Sequence, residues 1–570
     1  MARTIGIGRQ DFERIVTRNI FYVDKTMFIK EWWENEDDVT LITRPRRFGK
    51  TLNMSMLQQF FSVDYADRRD LFEGLSVWKE KKYRDLQGTY PVISISFANV
   101  KEANFAAARK KICQLLTDIF SDYAFLLNSE VLEEEDKAFF RRINVNMDDM
   151  EASISLHNLC RYLNRYYKNK VIILLDEYDT PMQEAYVHGY WQDLAEFVKG
   201  LFHATFKTNP YMERAIMTGI TRISKESIFS DMNNLEVVTT TSNKYAEAFG
   251  FTESEVLAAL EEYGLTDRMQ DVKSWYDGFV FGKRGDIYNP WSILNFLDKG
   301  RLAAYWANTS SNGLVSKLVQ EGSRELKTIM EGLLEGKVFQ AKVDEQIIFD
   351  QLEKDENAVW GLLLAGGYLK VEECLFDEDR GEDEYRLSLT NKEVRVMFKK
   401  IIRGWFAGIS AAYNDFLKAL LLGDVEAMNL YMNRVALATF SSFDAGRKPS
   451  DQAEPERFYH GFVLGLMVEL EENYMITSNR EAGFGRYDIM LEPKEGMWDV
   501  KTNTGCLDAI IIEFKVFNPR SEKNLEDTVQ TALRQIEEMR YDEALKAKGL
   551  PAERIRRYGF AFRGKEVLIG

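Results

Sequence analysis

Arg44-Pro45-Arg46-Arg47-Phe48-Gly49-Lys50-Thr51 follows the apolar run Val39 to Ile42 and opens a helical pattern from Leu52 to Phe61. Strand, tight loop, Gly-Lys-Thr and helix form the arrangement that cradles nucleotide phosphates, because amide N–H groups and the helix dipole converge on an anion there. The loop departs from the usual pattern at one place: Arg44 stands where a glycine is usual. That glycine permits a sharp turn at little steric cost. Arg44 followed by Pro45 is instead biased toward extended backbone, so the loop should turn differently and keep only its Gly49 end. Two readings of Arg44, Arg46 and Arg47 stand side by side: they add positive charge near phosphates, or they face solvent and carboxylates.

Working outward, Tyr90 to Phe97 alternates apolar residues as a strand does. Lys170 to Glu177 carries five consecutive apolar residues, which suits a central parallel strand buried on both faces. Arg214 to Ile220 is another short apolar strand, and helical patterns over 101–122, 150–168 and 190–208 separate these runs. Strands alternating with helices predict an α/β domain with a parallel sheet, ending near residue 245.

In that frame Lys50 reaches the β- and γ-phosphates, Thr51 holds Mg2+ through its hydroxyl, and Arg47, Phe48 and Gly49 complete the nucleotide-binding loop. Asp176, ending the buried strand, suits an outer ligand of the metal, and Glu177 suits the base that orients an attacking water. Thr218 ends the next strand, where it senses the γ-phosphate, and Arg222 touches it in cis or across a subunit interface. The first 38 residues either cover the nucleotide base or pack only.

The 570 residues exceed what one core holds, so several domains are expected. Residues 246–325 read as a helical lid. Residues 326–440 read as helix, hairpin, helix, like a winged helix. The acidic hairpin tip, Asp377 to Asp383, favours a structural connector over DNA contact. A linker over Ser441 to Glu454 precedes a last domain at 455–570, with a helix, strands at 474–479, 486–492 and 509–516, a helix from Asn524 to Lys546 and a strand at 557–562.

A net charge of −16 argues against coating nucleic acid with a broad basic surface, though not against a local groove. Cys113, Cys160, Cys374 and Cys506 have neither metal nor disulfide spacing, which fits a reducing, cytoplasmic setting. No leader-like apolar stretch opens the chain and no run is long enough to span a membrane.

The last domain holds a second candidate site. In Ala509 to Val516, period-2 alternation puts Ile510, Ile512, Phe514 and Val516 on one face and Glu513 and Lys515 on the other. Asp488 lies on a neighbouring strand, with Tyr487, Ile489 and Leu491 turned away from it. One Asp plus Glu-x-Lys from two paired strands can bind Mg2+, which lowers the pKa of a bound water and neutralises a phosphodiester. The bland alternatives are an exposed ion pair on an edge strand and a nuclease-like fold that binds without cutting. Arg554, Arg556 and Arg557 are further candidate phosphate contacts. His460 is a lone histidine, better read as packing or hydrogen bonding than as catalytic.

Arg44 to Thr51, Leu175-Asp-Glu-Tyr-Asp and Thr218-Gly-Ile-Thr-Arg-Ile together resemble a bacterial AAA-ATPase-like family, many members of which carry a C-terminal nuclease-like domain. The Tyr288-Asn289-Pro290-Trp291 and Tyr305-Trp306-Ala307-Asn308-Thr309 segments are similar to it as well. The resemblance implies that arginine at position 44 is compatible with the loop. Asp488 with Glu513-x-Lys515 resembles the PD-(D/E)xK nuclease superfamily, with Tyr487 in place of the proline of that pattern. This second resemblance implies a helix acid at Glu456 adding to the metal site, and Gln535 aimed at it. The function implied is an ATP-driven, Mg2+-dependent nuclease acting on DNA more than RNA, used in defence or mobile-element processing. The alternative is a nucleotide-dependent switch whose nuclease-like domain binds a partner without cleaving. A homo-oligomeric state stays open.

Overall fold

The structure is a computed structural model describing residues 2–221, 228–229, 232–307, 313–343, 355–377, 382–407, 410–443, 453–482, 485–494, 498–499, 504–505 and 507–570. The chain folds into two compact units: residues 1–311 with 338–394, and residues 312–337 with 395–570. The boundaries expected at 245 and 325, and the separate connector at 326–440, are not where the units part. The stretch read as a connector is divided between them. Its expected helix–hairpin–helix is present as Glu356–Ala365, Leu369–Asp377 with Glu382–Leu389, and Lys392–Trp405. Phe339–Ala341 joins the hairpin as a third strand.

The first unit is built on a parallel sheet of five strands: β1 (Val39–Thr43), β2 (Val92–Ser96), β3 (Val171–Asp176), β4 (Met212–Gly219) and β5 (Leu235–Val238). Their order is β2-β3-β4-β1-β5, so β4 lies between the strand that feeds the loop and the strand that ends in Asp176. Every residue of β1 and β3 is buried, as an apolar strand covered on both faces requires. The register pairs Ile42 with Thr218 and Thr43 with Gly219, which sets the carboxyl ends of β1, β3 and β4 side by side. That edge is where parallel α/β sheets place ligands. The sequence reading missed β5, and it also missed the helices Glu134–Arg142 and Thr180–His188.

The second unit holds another five-stranded sheet. In order it runs Tyr474–Ala482, Gly485–Pro493, Ala509–Val516, Ile555–Arg563 and Glu566–Ile569. One face is covered by the helix Ala453–Glu469: Phe514 stacks between Tyr459 and Phe562 at ring distances of 4.3 and 5.5 Å. The other face is covered by Leu525–Glu538, whose Ala532 and Ile536 are buried. The single helix expected over 524–546 is two, Leu525–Glu538 and Glu543–Ala547, broken where Arg540 takes a left-handed φ of 51°. The expected linker lies mostly outside the described residues, between helices that end at Phe443 and begin at Ala453.

Candidate functional sites

The phosphate-type loop is shaped by alternating backbone. Arg47 has φ 66° and Gly49 has φ 87°, while Arg46 and Phe48 keep ordinary negative values. Such alternation turns successive N–H groups into one concavity, the geometry of an anion nest. Gly49 is the N-cap of Lys50–Phe61, and a methyl group added there would meet nothing within 4 Å, so the cradle is open on its ligand side. Lys50 is buried, and its Nζ donates to the carbonyls of Arg44 at 2.8 Å and Pro45 at 2.9 Å. Burial lowers its pKa, while Glu177, Asp179 and Asp176 act the other way. A phosphate entering the cradle would replace carbonyl dipoles with a full charge on this ammonium.

Arg44 follows neither of the two readings given for it. Its side chain is fully buried, and its guanidinium donates to the carbonyls of Thr43 at 2.9 Å, Thr239 at 2.6 Å and Lys244 at 3.2 Å. It also lies 4.5 Å from the centre of the Phe281 ring. The charge is used to satisfy backbone acceptors in the interior rather than to meet phosphates. Arg46 is exposed and reaches Gln183 at 3.3 Å. Arg47 is exposed too, with its guanidinium 4.4 Å from the Trp291 ring. The Phe48 side chain anchors the loop: its ring is buried against Phe279 and Phe281 at 4.8 and 5.4 Å, and its carbonyl accepts from the Gly250 amide at 3.2 Å.

The strand ends bring Thr51, Asp176 and Thr218 together. Asp176 Oδ2 accepts from the Thr51 hydroxyl at 2.8 Å, and Oδ1 accepts from the Thr218 hydroxyl. Burial pushes the Asp176 pKa up, against the two hydroxyl bonds that hold it down. Glu177 stands in a left-handed conformation, φ 52°, with its carboxylate on Thr180 Oγ1 at 3.1 Å. The sequence reading gave no role to Asp179. Its buried Oδ2 accepts from the amides of Ile220 and Thr221, the Thr221 hydroxyl and Gln183 Nε2, each at 2.9 Å. The carboxylate therefore fixes the backbone just past β4, immediately before Arg222. Arg222 itself lies outside the described residues. The signal in sequence was the second acid of Asp-Glu-Tyr-Asp.

Beside Gly49 lies an apolar cavity lined by Ile20, Phe21, Leu52, Gly250, Phe251 and Leu294, among others. The opening segment of the chain thus forms one wall of a space next to the cradle. At its rim, Lys25 Nζ is tied to Glu255 at 2.7 Å.

In the second unit, Asp488, Glu513, Lys515 and Gln535 converge. The ladder between Gly485–Pro493 and Ala509–Val516 runs from Leu491 to Ile489 and stops, so the strands part at Asp488 and Glu513. Asp488 Oδ2 accepts from the Phe514 amide at 2.8 Å across that opening. Glu513 is 1% exposed; its Oε1 accepts from Lys515 Nζ at 3.2 Å and from Gln535 Nε2. Gln535 also donates to the Tyr541 hydroxyl at 3.1 Å. Burial, and then the charge of Asp488, raise the Glu513 pKa to about 7. Glu513 Oε2 is buried, with no hydrogen-bond partner among the described residues. An uncompensated carboxylate oxygen in such a place is costly unless a cation meets it, so these donors fit a hard divalent metal.

Glu456 lies on the helix Ala453–Glu469, but its side chain is outside the described residues. Among those residues no group of three metal-type side chains occurs.

Two expectations need correction. Tyr487 does not face away from the site: the opposite ladder skips Asn479 and Asp488, and Tyr487 packs with Ile511, Ile536 and Tyr541. Arg554 and Arg556 pair with Asp508 at 2.9 and 2.5 Å, and Arg557 pairs with Asp542, so all three are engaged by carboxylates of their own unit. His460 is fully buried, with Nδ1 3.4 Å from Glu331.

Residues 6–229 match the family described as predicted AAA-ATPase, and residues 454–570 match the PD-(D/E)XK nuclease superfamily. Both are enzyme families. A protein of Azotobacter chroococcum mcd 1, described as an uncharacterized protein in the vnfD 5' region, is 26% identical over 408 residues, 70% of each chain. Among solved structures, the ORC2 protein of Aeropyrum pernix, in ADPNP–ADP complexes, aligns at 9% identity with a TM-score of 0.25. It covers 66% of this chain and 92% of its own.

Proposed function

We propose that this chain, which joins an AAA-ATPase-like domain to a C-terminal PD-(D/E)XK nuclease superfamily domain, binds and hydrolyses ATP in the first and cleaves nucleic acid with Mg2+ in the second, under nucleotide control. Lys50 and the nest at 46–49 would hold the phosphates. Thr51 and Asp176 would hold the metal of that site, Glu177 would orient the attacking water and Thr218 would report the γ-phosphate. The apolar cavity beside Gly49 suits a purine ring, as the aromatic and aliphatic walls supply area without polar selectivity.

The observation that carries the nuclease reading is the buried Glu513 Oε2, without a hydrogen-bond partner among the described residues, beside Asp488 and Lys515. Asp488 and Glu513 would hold Mg2+, and Glu456 is the candidate third ligand. A bound metal supplies Lewis acidity and a water of lowered pKa. Lys515 offsets negative charge at the opening, and Gln535 fixes the Glu513 carboxylate. DNA is favoured over RNA as substrate by family analogy alone.

The test is a pair of variants, Lys50→Ala and Asp488→Ala, assayed on DNA and RNA with Mg2+. Lys50→Ala is expected to abolish ATP binding and alter cleavage, and Asp488→Ala to abolish cleavage with ATP binding retained. Cleavage unchanged in both variants would sink the nuclease reading.

A further inference from the structure

The segments 288–291 and 305–307 have no role in the proposed nucleotide site, yet both meet the phosphate loop. The carbonyl of Arg46 accepts two side-chain hydrogen bonds, from Trp306 Nε1 at 3.0 Å and Asn289 Nδ2 at 3.3 Å. The two donors are themselves seated. Asn289 Oδ1 caps the helix Pro290–Lys299 by accepting from the amides of Trp291 and Ser292 at 2.9 and 3.3 Å. The Trp306 amide donates to Glu393 Oε1 at 2.6 Å, and the Ser292 hydroxyl donates to Glu393 Oε2 at 2.8 Å. Glu393 is fully buried and ties both segments into one piece.

In a trans peptide the C=O and the following N–H point in opposite directions. Holding the Arg46 carbonyl toward Trp306 and Asn289 therefore turns the Arg47 N–H the other way, and this is the peptide that leads into the left-handed Arg47. A left-handed conformation on a non-glycine residue persists only when its surroundings enforce it. The usual leading glycine is absent here, and Arg44 is committed to interior carbonyls. Something else must hold the Arg46–Arg47 peptide.

We propose that Trp306 and Asn289, seated by Glu393, are positioning residues that hold the Arg46–Arg47 peptide so that the cradle is preformed for the β- and γ-phosphates of a nucleoside triphosphate. The proposal rests on the ATP site proposed above. It predicts a selective defect. Removing either donor weakens ligands that place phosphates in the cradle, and leaves ligands without those phosphates unaffected.

The test uses two variants of the full chain that each delete one donor and little else. Trp306→Phe keeps an aromatic ring, and Asn289→Ser keeps a capping oxygen without added charge while losing Nδ2. Binding of ATP, ADP and AMP is measured for each, with Lys50→Ala as reference and the thermal midpoint recorded. Each variant should weaken ATP and ADP roughly tenfold, as the loss of one hydrogen bond to a preformed site does, and leave AMP within about twofold. Glu393→Gln should act in the same direction. Equal weakening of all three nucleotides, or no weakening in a folded variant, would overturn the proposal. If Lys50→Ala also leaves ATP affinity unchanged, the ATP site itself is wrong. If only Lys50→Ala weakens ATP, the site stands and the positioning role falls. Should Trp306→Phe fail to fold, Asn289→Ser decides by the same criteria.

Discussion

Arg44 carries a counter-intuitive expectation. Replacing it with the glycine usual at that place should harm the protein. The guanidinium is the donor for the Thr239 and Lys244 carbonyls, and its removal would leave them buried without that donor. We expect Arg44→Gly to cost roughly 3 kcal/mol of stability, read as a lowered thermal midpoint, with no gain in nucleotide affinity. Glu513 offers a second test at this scale. Its folded pKa lies at about 7, above the ordinary 4.5, so the neutral form is favoured by the fold. The metal-free protein should lose stability as pH rises from 4.5 to 7, and Glu513→Gln should flatten that slope. Metal needs the ionised carboxylate, so Mg2+ affinity should rise with pH up to about 7 and level off above, as calorimetry can measure. Asp488→Asn removes the like charge and should move the Glu513 midpoint down.

Among the elements, the turn after β3 and the segment after β4 are locked by one side chain. Asp179 accepts the partly buried amide of Ile220 and the buried amide of Thr221, and Gly219 has no room for a side chain: an added methyl group would lie 2.6 Å from the Tyr178 ring and 2.8 Å from Asp179 Oδ1. Asp179→Ala should cost about 2–4 kcal/mol by stranding those amides and should slow ATP hydrolysis through a displaced Ile220–Thr221 backbone. Calorimetry and a hydrolysis assay check the two effects. Some elements were readable and others were not, for physical reasons. β3 is a continuous apolar run of the kind only a buried strand explains, β1 is apolar but for its threonines, and Ala509–Val516 is an apolar run that ends in alternation at Glu513 and Lys515. β5 is four residues long and mostly half-buried, so its sequence carries no strong period. The break between Leu525–Glu538 and Glu543–Ala547 falls at an arginine, a residue that ordinarily continues a helix.

For the molecule as a whole, the consequence of the proposed function is coupling between the two sites. ATP hydrolysis is expected to rise when the true polymer substrate is added, and DNA and RNA assayed side by side would identify that substrate. Hydrolysis unaffected by either would separate the two activities. The sequence by itself determined the α/β class, the Gly49-Lys50-Thr51 end of the loop, the Asp176–Glu177 strand end, and the pairing of Asp488 with Glu513-x-Lys515. The first three rest on local periodicity or short spacing, which the backbone obeys wherever the segment lies, and the last on the alternation of two strands that pair. Only the tertiary structure decided that Arg44 points inward, that Asp179 is a backbone anchor, that Arg554, Arg556 and Arg557 are paired within their own unit, and that Trp306 and Asn289 meet the Arg46 carbonyl. The partners that decide those contacts lie from 15 to 260 residues apart in sequence, so no local pattern encodes them. The direction a charged side chain takes is set by which acceptors the fold leaves unpaired.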